Sequence, residues 1–189
     1  MKIRCLIAIV VLGLLCSAAQ SQESKAFPTD DEIRLVVTQT DRALVDYIAT
    51  AKQEQHLLES TTDAENDKRV IDGLTAMSKG FEAKPQAFNS RFGLEFVLLL
   101  DDASRNAALC NADAITKGIK ATVAGETQAA QDYLQLAQSC TSVSNLLYTI
   151  SENAAALYQR YVNGEEDLAQ QAFDEMNKCR GILKQQKPK

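Results

Sequence analysis

Three cysteines are the residues of this chain whose type and spacing best fit a specific chemistry, the formation of a disulfide bond. The chain holds five cysteines in all, but two lie in an amino-terminal segment that we expect to be removed on export, which leaves Cys110, Cys140 and Cys179. An exported protein reaches a compartment in which disulfides form. Because three is an odd number, at most one internal bridge forms and one thiol is left over. No Cys-x-x-Cys motif occurs, so the cysteines predict neither a metal site nor a redox motif.

The positions of Cys110 and Cys140 indicate which two cysteines pair. Both lie on apolar stripes of predicted helices, and each is 15 residues from Gly125. If the chain turns back at Gly125, the two residues lie at the same height on neighbouring helices, so we predict a disulfide bond between them. If the turn lies nearer Ala121, they are offset by roughly 10 Å and cannot bridge, because a disulfide needs Cα atoms about 4.4–6.8 Å apart. The cysteines are then small buried hydrophobic residues.

A group of carboxylates on the third predicted helix is the best candidate for catalysis. Glu95 and Asp102 are seven residues apart and share a helix face, with Asp101 beside them. Paired carboxylates carry out acid–base chemistry when their environments shift their pKa values apart. The alternative is a solvated ridge, or ion pairs with Arg91 and Arg105 one helical turn away. We favour the alternative and predict no catalytic residue.

His56 is the single histidine of the chain. Helical bundles that bind two metal ions use the Glu-x-x-His motif twice, and the residue three positions before His56 is Gln53. Covalent haem attachment needs a Cys-x-x-Cys-His motif, which does not occur. A single histidine is also weak support for a hydrolytic zinc site or a catalytic serine–histidine pair. We therefore predict a surface histidine, with no metal and no cofactor.

Aromatic residues at helical spacing are the remaining candidate for a ligand site. They are Tyr133, Tyr148, Tyr158 and Tyr161 with Phe88, Phe92, Phe96 and Phe173. In the interior of a helical bundle they would line a pocket for a small apolar molecule. The alternative is that they pack in the core and leave no cavity.

The first residues of the chain have the pattern of a signal peptide. Basic residues precede an apolar run from residue 5 to residue 16, and Ser17–Ala19 offers the small residues that signal peptidase requires. The run is shorter than the roughly 20 apolar residues of a membrane-spanning helix. Lipidation at Cys16 is the alternative. We predict that residues 1–19 are cleaved and that the protein is exported to the periplasm or the extracellular space.

Export would leave an acidic chain. Cleavage removes Lys2 and Arg4 and no acidic residue, so the 20 basic residues become 18 against 25 acidic ones, a net charge of −7. An acidic surface repels the phosphates of nucleic acids and anionic lipid headgroups. We therefore expect neither nucleic acid nor membrane as a partner after signal cleavage.

The elements that position these residues follow from the apolar periodicity. From Ala129 to Tyr161 an apolar residue recurs every three or four positions, which is typical of a long helix with one buried seam. The seam consists of Ala129, Tyr133, Leu136, Cys140, Val143, Leu147, Ile150, Ala154, Leu157 and Tyr161. The opposite positions, from Gln131 to Gln159, are polar, as expected of a solvated face.

Other stretches show the same periodicity. Thr29 and Glu32 form a capping box at the first helix start. The predicted helices run from Thr29 to Leu58, from Thr62 to a stop at Gly80, from Phe88 to Ala114, from Gly125 to a stop at Asn163–Gly164, and from Glu165 to Leu183. Two alternatives remain. The first two helices could be continuous, and Leu94–Leu100, predicted to be the most buried stretch, could be a strand. We favour a break and a helix.

Short links between long amphipathic helices make sequential neighbours antiparallel. We therefore predict an all-α fold, an up-and-down antiparallel bundle of four or five helices. Residues 20–28 form a polar leader, residues 29–184 a single domain, and residues 185–189 a disordered tail.

These patterns describe a scaffold without recognisable catalytic machinery. We expect an exported, non-enzymatic protein that acts by binding a protein partner, or a second copy of itself through Cys179. The first alternative is a carrier of a small apolar ligand in the bundle interior. The second is an enzyme that uses the helix-borne carboxylates Glu95, Asp101 or Asp102.

Overall fold

Four α-helices and one 3-10 turn make up the part of the chain that the structure, a computed structural model, describes. That part is residues 27–59 and 61–185, with side chains described for residues 27–59 and 64–178. The helices are α1 (Asp30–Leu58), α2 (Thr61–Ala83), α3 (Ser90–Ala124) and α4 (Thr127–Gln185), with the 3-10 turn Pro85–Ala87 between α2 and α3. The all-α class and the up-and-down arrangement are confirmed. The predicted signal peptide, residues 20–26 of the predicted polar leader and the last four residues of the predicted tail lie outside the described residues.

The chain reverses at three turns whose residues favour a helix end. Glu59 has a left-handed φ of 57° directly after α1, so the predicted break between the first two helices is confirmed. The side chain of Asn89 accepts two backbone N–H bonds at the start of α3, which is the usual role of asparagine at this position. Gly125, with φ of 79°, ends α3 and donates its N–H to carbonyls of the last turn.

Three glycines that lie between the predicted helices or at their predicted stops lie inside helices instead. α2 continues through Gly80, α3 continues through Gly118, and α4 continues through Gly164. The predicted fourth and fifth helices are therefore one helix. Glycine costs a helix only about 1 kcal/mol relative to alanine, which flanking helix-forming residues and packing outweigh. The stop after Ala83 coincides instead with Pro85, because proline disfavours helical backbone in the residue before it.

Residues Asp30–Leu157 form one compact unit, in which the four helices bury their apolar stripes. The predicted seam of α4 is buried at Leu136, Cys140, Val143, Leu147, Ile150, Ala154 and Leu157. In α1 the buried face is wider than a single apolar stripe and includes Val36, Ala43 and Tyr47. A helix that contacts several neighbours buries more than one row of side chains, which explains the wider face.

The apolar middle of α3 is less buried than predicted. Phe96, Leu99 and Leu100 are buried, whereas Leu94 is 41% and Leu98 is 56% exposed. Both exposed leucines lie on the face of α3 that no helix of this unit covers. A helix at the perimeter of a bundle buries one face whatever its composition, so an apolar run by itself does not predict complete burial. Because the run is helical, the strand alternative for Leu94–Leu100 is wrong.

Small side chains bring α3 and α4 close together. The Ser104 hydroxyl donates to the Ser144 carbonyl oxygen at 3.0 Å, and the Ser144 hydroxyl donates to the Ser104 carbonyl oxygen at 2.9 Å. Nearer the turn, a Cβ added at Gly118 would lie 3.3 Å from the Cβ of Tyr133. The helix axes can therefore approach within the range that a covalent bridge requires.

A disulfide bond links α3 to α4. The structure places the sulfur atoms of Cys110 and Cys140 at 2.08 Å and their Cα atoms at 6.1 Å, within the usual Cα range. The turn between the helices is centred on Gly125, so the offset that a turn at Ala121 would have produced does not arise. Cys179 lies in α4, among the residues whose side chains are not described.

A second compact unit comprises the described residues up to Thr29 and those from Tyr158 onward. The ring of Phe27 packs edge-on against Tyr161 with a centroid distance of 5.1 Å, and Arg160 donates to the Phe27 carbonyl oxygen at 3.2 Å. A Cβ at Gly164 would lie 2.9 Å from atoms of the Phe27 ring. This glycine therefore makes room for an aromatic ring rather than ending the helix. From residue 165 to residue 178 the side chains are exposed, apart from the half-buried Leu168.

Candidate functional site

The hairpin of α3 and α4 extends past the end of α1. Lys117 donates to the Leu58 carbonyl oxygen at 2.8 Å, and Tyr133 donates to the Leu57 carbonyl oxygen at 3.4 Å. These contacts mark the level at which α1 ends and place a cation at its carboxyl terminus, where the helix dipole favours one. From Lys117 the hairpin continues for eight residues to Gly125, or about 12 Å. Two helices alone cannot bury both of their faces, so this end of the hairpin exposes apolar side chains.

An open cleft of about 380 Å³ lies between the two helices at this end. Its floor includes the small residues Ala114, Gly118 and Ala130, and its walls are Ile115, Ile119 and Leu134. The wall side chains are 46%, 61% and 57% exposed, respectively. We call these six residues the hairpin cleft. None of them carries a charge, so the cleft offers apolar contact and shape but no electrostatic selection.

On the side of the hairpin cleft away from the turn, both helices carry runs without charge. No charged residue lies between Asp132 and Glu152 in α4, or between Arg105 and Asp113 in α3, although charged residues make up 24% of the chain. The exposed positions of these runs carry small residues, glutamine, leucine and Tyr148 instead. The apolar periodicity identifies only the buried seam, so the cleft could not be predicted from it. Leu134, an apolar residue beside the seam residue Tyr133, is the signal that could have located it.

A second cluster of ionisable and polar residues lies inside the bundle. The Tyr47 hydroxyl of α1 donates to Asp67 Oδ1 of α2 at 2.5 Å. Asn106 of α3 donates to the same carboxylate oxygen at 3.0 Å and to the Tyr47 oxygen at 3.2 Å. Tyr47 is 2% and Asp67 4% exposed. Three helices therefore meet at one buried carboxylate, and no local sequence motif predicts this contact.

Burial is the main reason why the pKa of Tyr47 is raised well above its ordinary value of 10.0. The hydrogen bond to Asp67 raises this pKa further, and so do the negative charges of Asp67 and Glu54. A general acid or base works best with a pKa near the working pH, and this phenol stays protonated far above it. We therefore interpret the cluster as a polar link between helices rather than as an acid–base site.

The carboxylates that the sequence suggested for catalysis take part in surface ion pairs. Asp101 pairs with Arg105 at 2.8 Å, and Asp102 pairs with Arg69 of α2 at 3.0 Å. Glu95 is exposed. Ion pairs of this kind contribute about 0–1 kcal/mol and are ordinary on helix surfaces, so we propose no catalytic role for these three acids. Arg91 lies over the ring of Phe92 at 5.5 Å.

The aromatic residues singled out in the sequence are not gathered around one pocket. Phe88 and Phe96 each pack edge-on against Phe81 with centroids 5.4 Å apart, in the core. Tyr133 contacts Gly118, which is about 30 Å along α3 from Phe96. Tyr148 is 52% exposed. The hairpin cleft is therefore lined by aliphatic residues and not by the predicted aromatic ones.

The remaining predicted features are simple to place. His56 is exposed in the last turn of α1, so the prediction of a surface histidine is confirmed. Across residues 27–59 and 61–185, no group of three or more histidine, cysteine, aspartate or glutamate side chains is arranged to hold a metal ion. None of the helices, over those same residues, has a stretch long and apolar enough to span a bilayer.

Known proteins offer no direct guide to this chain. Comparison with protein-family models, with curated proteins and with solved structures finds no match. The function must therefore be argued from the molecule itself. The polar cluster of Tyr47, Asp67 and Asn106 is enclosed by three helices. The hairpin cleft is open, so a partner can reach it.

Proposed function

We propose that the protein acts by binding a protein partner whose apolar side chains enter the hairpin cleft. The observation that carries this proposal is the exposure of Ile115, Ile119 and Leu134 around a floor of small residues. Full burial of such an aliphatic side chain is worth about 1.5–3 kcal/mol relative to leaving it in water. A partner that covers the three walls gains part of this free energy, and contiguous exposed apolar surface is typical of interaction sites.

The shape and charge of the cleft support an amphipathic helix as the docking element. An apolar groove between two helices accepts side chains spaced by three or four positions on a third helix. The absence of charge in the cleft, together with the chain's net charge of −5, disfavours phosphate-rich ligands. The amino-terminal signal pattern supports a partner met outside the cytoplasm, in the periplasm or the extracellular space.

Replacing Ile119 with aspartate is expected to weaken partner binding at least tenfold and to leave the fold intact. A carboxylate in an apolar contact loses its hydration without gaining a partner, and about 1.4 kcal/mol already corresponds to a factor of ten. Because Ile119 is 61% exposed, we expect the unfolding free energy to change by less than about 0.5 kcal/mol. The measurement is photo-crosslinking from position 115 in an envelope or secreted fraction, with denaturant unfolding as the test of stability.

The matched control is Val45→Asp, which alters an exposed aliphatic residue of α1 that is 66% exposed. This variant should keep the adduct that Ile119→Asp loses. An adduct that survives Ile119→Asp, or that forms equally from a probe at position 45, would show that the cleft is not the docking site. The complete absence of a discrete adduct from position 115 would also count against the proposal.

The size of the cleft supports a small apolar ligand as a second candidate. Its volume of about 380 Å³ lies within the range of small-molecule sites, roughly 300–1,000 Å³. The site differs from the interior carrier considered above, because it opens at the surface of the hairpin. Mass spectrometry of organic extracts from purified protein tests this candidate. A ligand retained by Val45→Asp and lost in Ile119→Asp would place it in the cleft, and an empty extract would eliminate it.

A further inference from the structure

We propose that the last part of α4, residues 165–185, pairs in an antiparallel arrangement with the same segment of a second copy of the chain. We call residues 165–185 the terminal segment. The inference does not depend on the hairpin cleft. It follows from an uncovered apolar stripe and from the way in which the segment's charges are divided.

The terminal segment carries an apolar stripe without an intramolecular cover over its described side chains. Phe173 and Met176 are each 53% exposed, and Ala172 next to Phe173 is also exposed. With Leu168 they continue the three-to-four spacing of the α4 seam, and the sequence extends it to Leu183. Phe27 covers the helix only at Tyr161 and Gly164. Most of the stability of such a helix comes from packing of its apolar face, so burial of the stripe against a partner would stabilise the segment.

The charges of the terminal segment identify a second copy as that partner. All acidic residues of the segment precede all basic ones: the acids are Glu165, Glu166, Asp167, Asp174 and Glu175, and the bases are Lys178, Arg180 and Lys184. An antiparallel pair places the acidic half of each copy against the basic half of the other. A parallel pair would place like charges together. The ion pair of Lys178 with Glu175 is exposed and local, so it does not prevent this exchange.

The antiparallel arrangement has a definite register. Stacking position 168 of one copy against position 183 of the other places position 172 across from position 179. The two Cys179 residues are then seven residues apart along the pair, or about 10 Å, too far for a disulfide bond between them. A parallel pair would instead bring the two Cys179 residues together. Covalent trapping therefore distinguishes the two orientations.

The decisive experiment introduces Ala172→Cys into the full-length protein and oxidises it under mild conditions. In the antiparallel register position 172 of one copy lies opposite position 179 of the other, so we expect most of the protein to run as a covalent dimer on a non-reducing gel. Adding Cys179→Ser to the same variant should abolish the dimer. The matched control is Gln170→Cys, an exposed position on the opposite face of the helix, which should run as a monomer on the same gel.

Two further measurements complete the test. In sedimentation equilibrium, Met176→Asp should weaken dimerisation at least tenfold, whereas the cleft variant Ile119→Asp should leave it unchanged. Added salt should weaken the dimer, because salt screens the pairing of opposite charges. A wild-type covalent dimer that depends on Cys179 would overturn the antiparallel arrangement. Equal behaviour of Ala172→Cys and Gln170→Cys, or a monomer at all concentrations, would overturn the pairing itself.

Discussion

Loss of the Cys110–Cys140 disulfide is expected to lower the free energy of unfolding by about 3.5 kcal/mol. The bridge closes a loop with a sequence separation of 30 residues, and its main effect is to restrict the unfolded chain. Both cysteines belong to a buried cluster with Leu58 and Leu136, so alanine at either position also removes packed sulfur. The measurement is urea unfolding of the Cys110→Ala, Cys140→Ala double variant beside the oxidised and the reduced wild type.

The disulfide prediction has an internal control in Cys179→Ser. That variant leaves the bridge in place and should unfold at the wild-type midpoint, with the same dependence on reductant. If reduction shifts the wild type and not the double variant, the bridge is the cause. Equal midpoints for the oxidised wild type and the double variant would contradict the prediction.

Because Ala114 belongs to both the buried cluster and the cleft floor, we also expect weaker partner binding in the double variant.

The second large effect concerns alkaline pH and the Tyr47 hydroxyl. The pKa of Tyr47 is raised in the folded protein above the ordinary 10.0, so folding favours the protonated phenol. Its contribution is fully present below pH 10 and is lost as the pH rises above that value, by about 1.4 kcal/mol per pH unit. In Tyr47→Phe this loss should disappear. The variant should instead be less stable by about 1–3 kcal/mol at neutral pH, because Asp67 loses a buried donor.

Urea unfolding of the wild type and Tyr47→Phe between pH 7 and pH 11.5 tests this prediction. The difference in unfolding free energy should be largest near neutrality and should shrink as the pH rises above 10. The control is Tyr148→Phe, since the pKa of that exposed tyrosine is raised by a surface hydrogen bond to Glu152, which water can replace. A Tyr47→Phe curve parallel to the wild-type curve would show that the buried phenol does not set the alkaline stability.

The two binding surfaces proposed for this protein belong to different parts of the chain, so each proposal can be tested without the other. The hairpin cleft lies within the unit Asp30–Leu157, and the terminal segment lies in the other unit. Aspartate at position 119 should therefore affect the docked partner and not dimerisation, and aspartate at position 176 should do the reverse. If either variant lost both partner binding and dimerisation, the two surfaces would be coupled, which neither proposal predicts.

The sequence by itself determined the all-α class and the seam of α4, and it predicted the pairing of Cys110 with Cys140. Each of these depends on local periodicity or on distance along the chain from a turn at Gly125. Equal spacing from that turn sets equal height on antiparallel helices, so the disulfide could be predicted without knowledge of the other contacts. The helix stop predicted at Gly164 was wrong, because the cost of glycine in a helix is small compared with the stabilisation from packing at that position.

Only the tertiary structure decided which apolar faces remain uncovered and which polar residues meet. Periodicity shows that Leu98 and Ile119 are apolar, but their burial depends on whether another helix lies over that side of α3. Asp67 is 20 residues from Tyr47 and 39 from Asn106, and the register of three helices brings them together. Registers arise from side-chain packing across the whole bundle, so neither the polar cluster nor the hairpin cleft could be placed from local pattern.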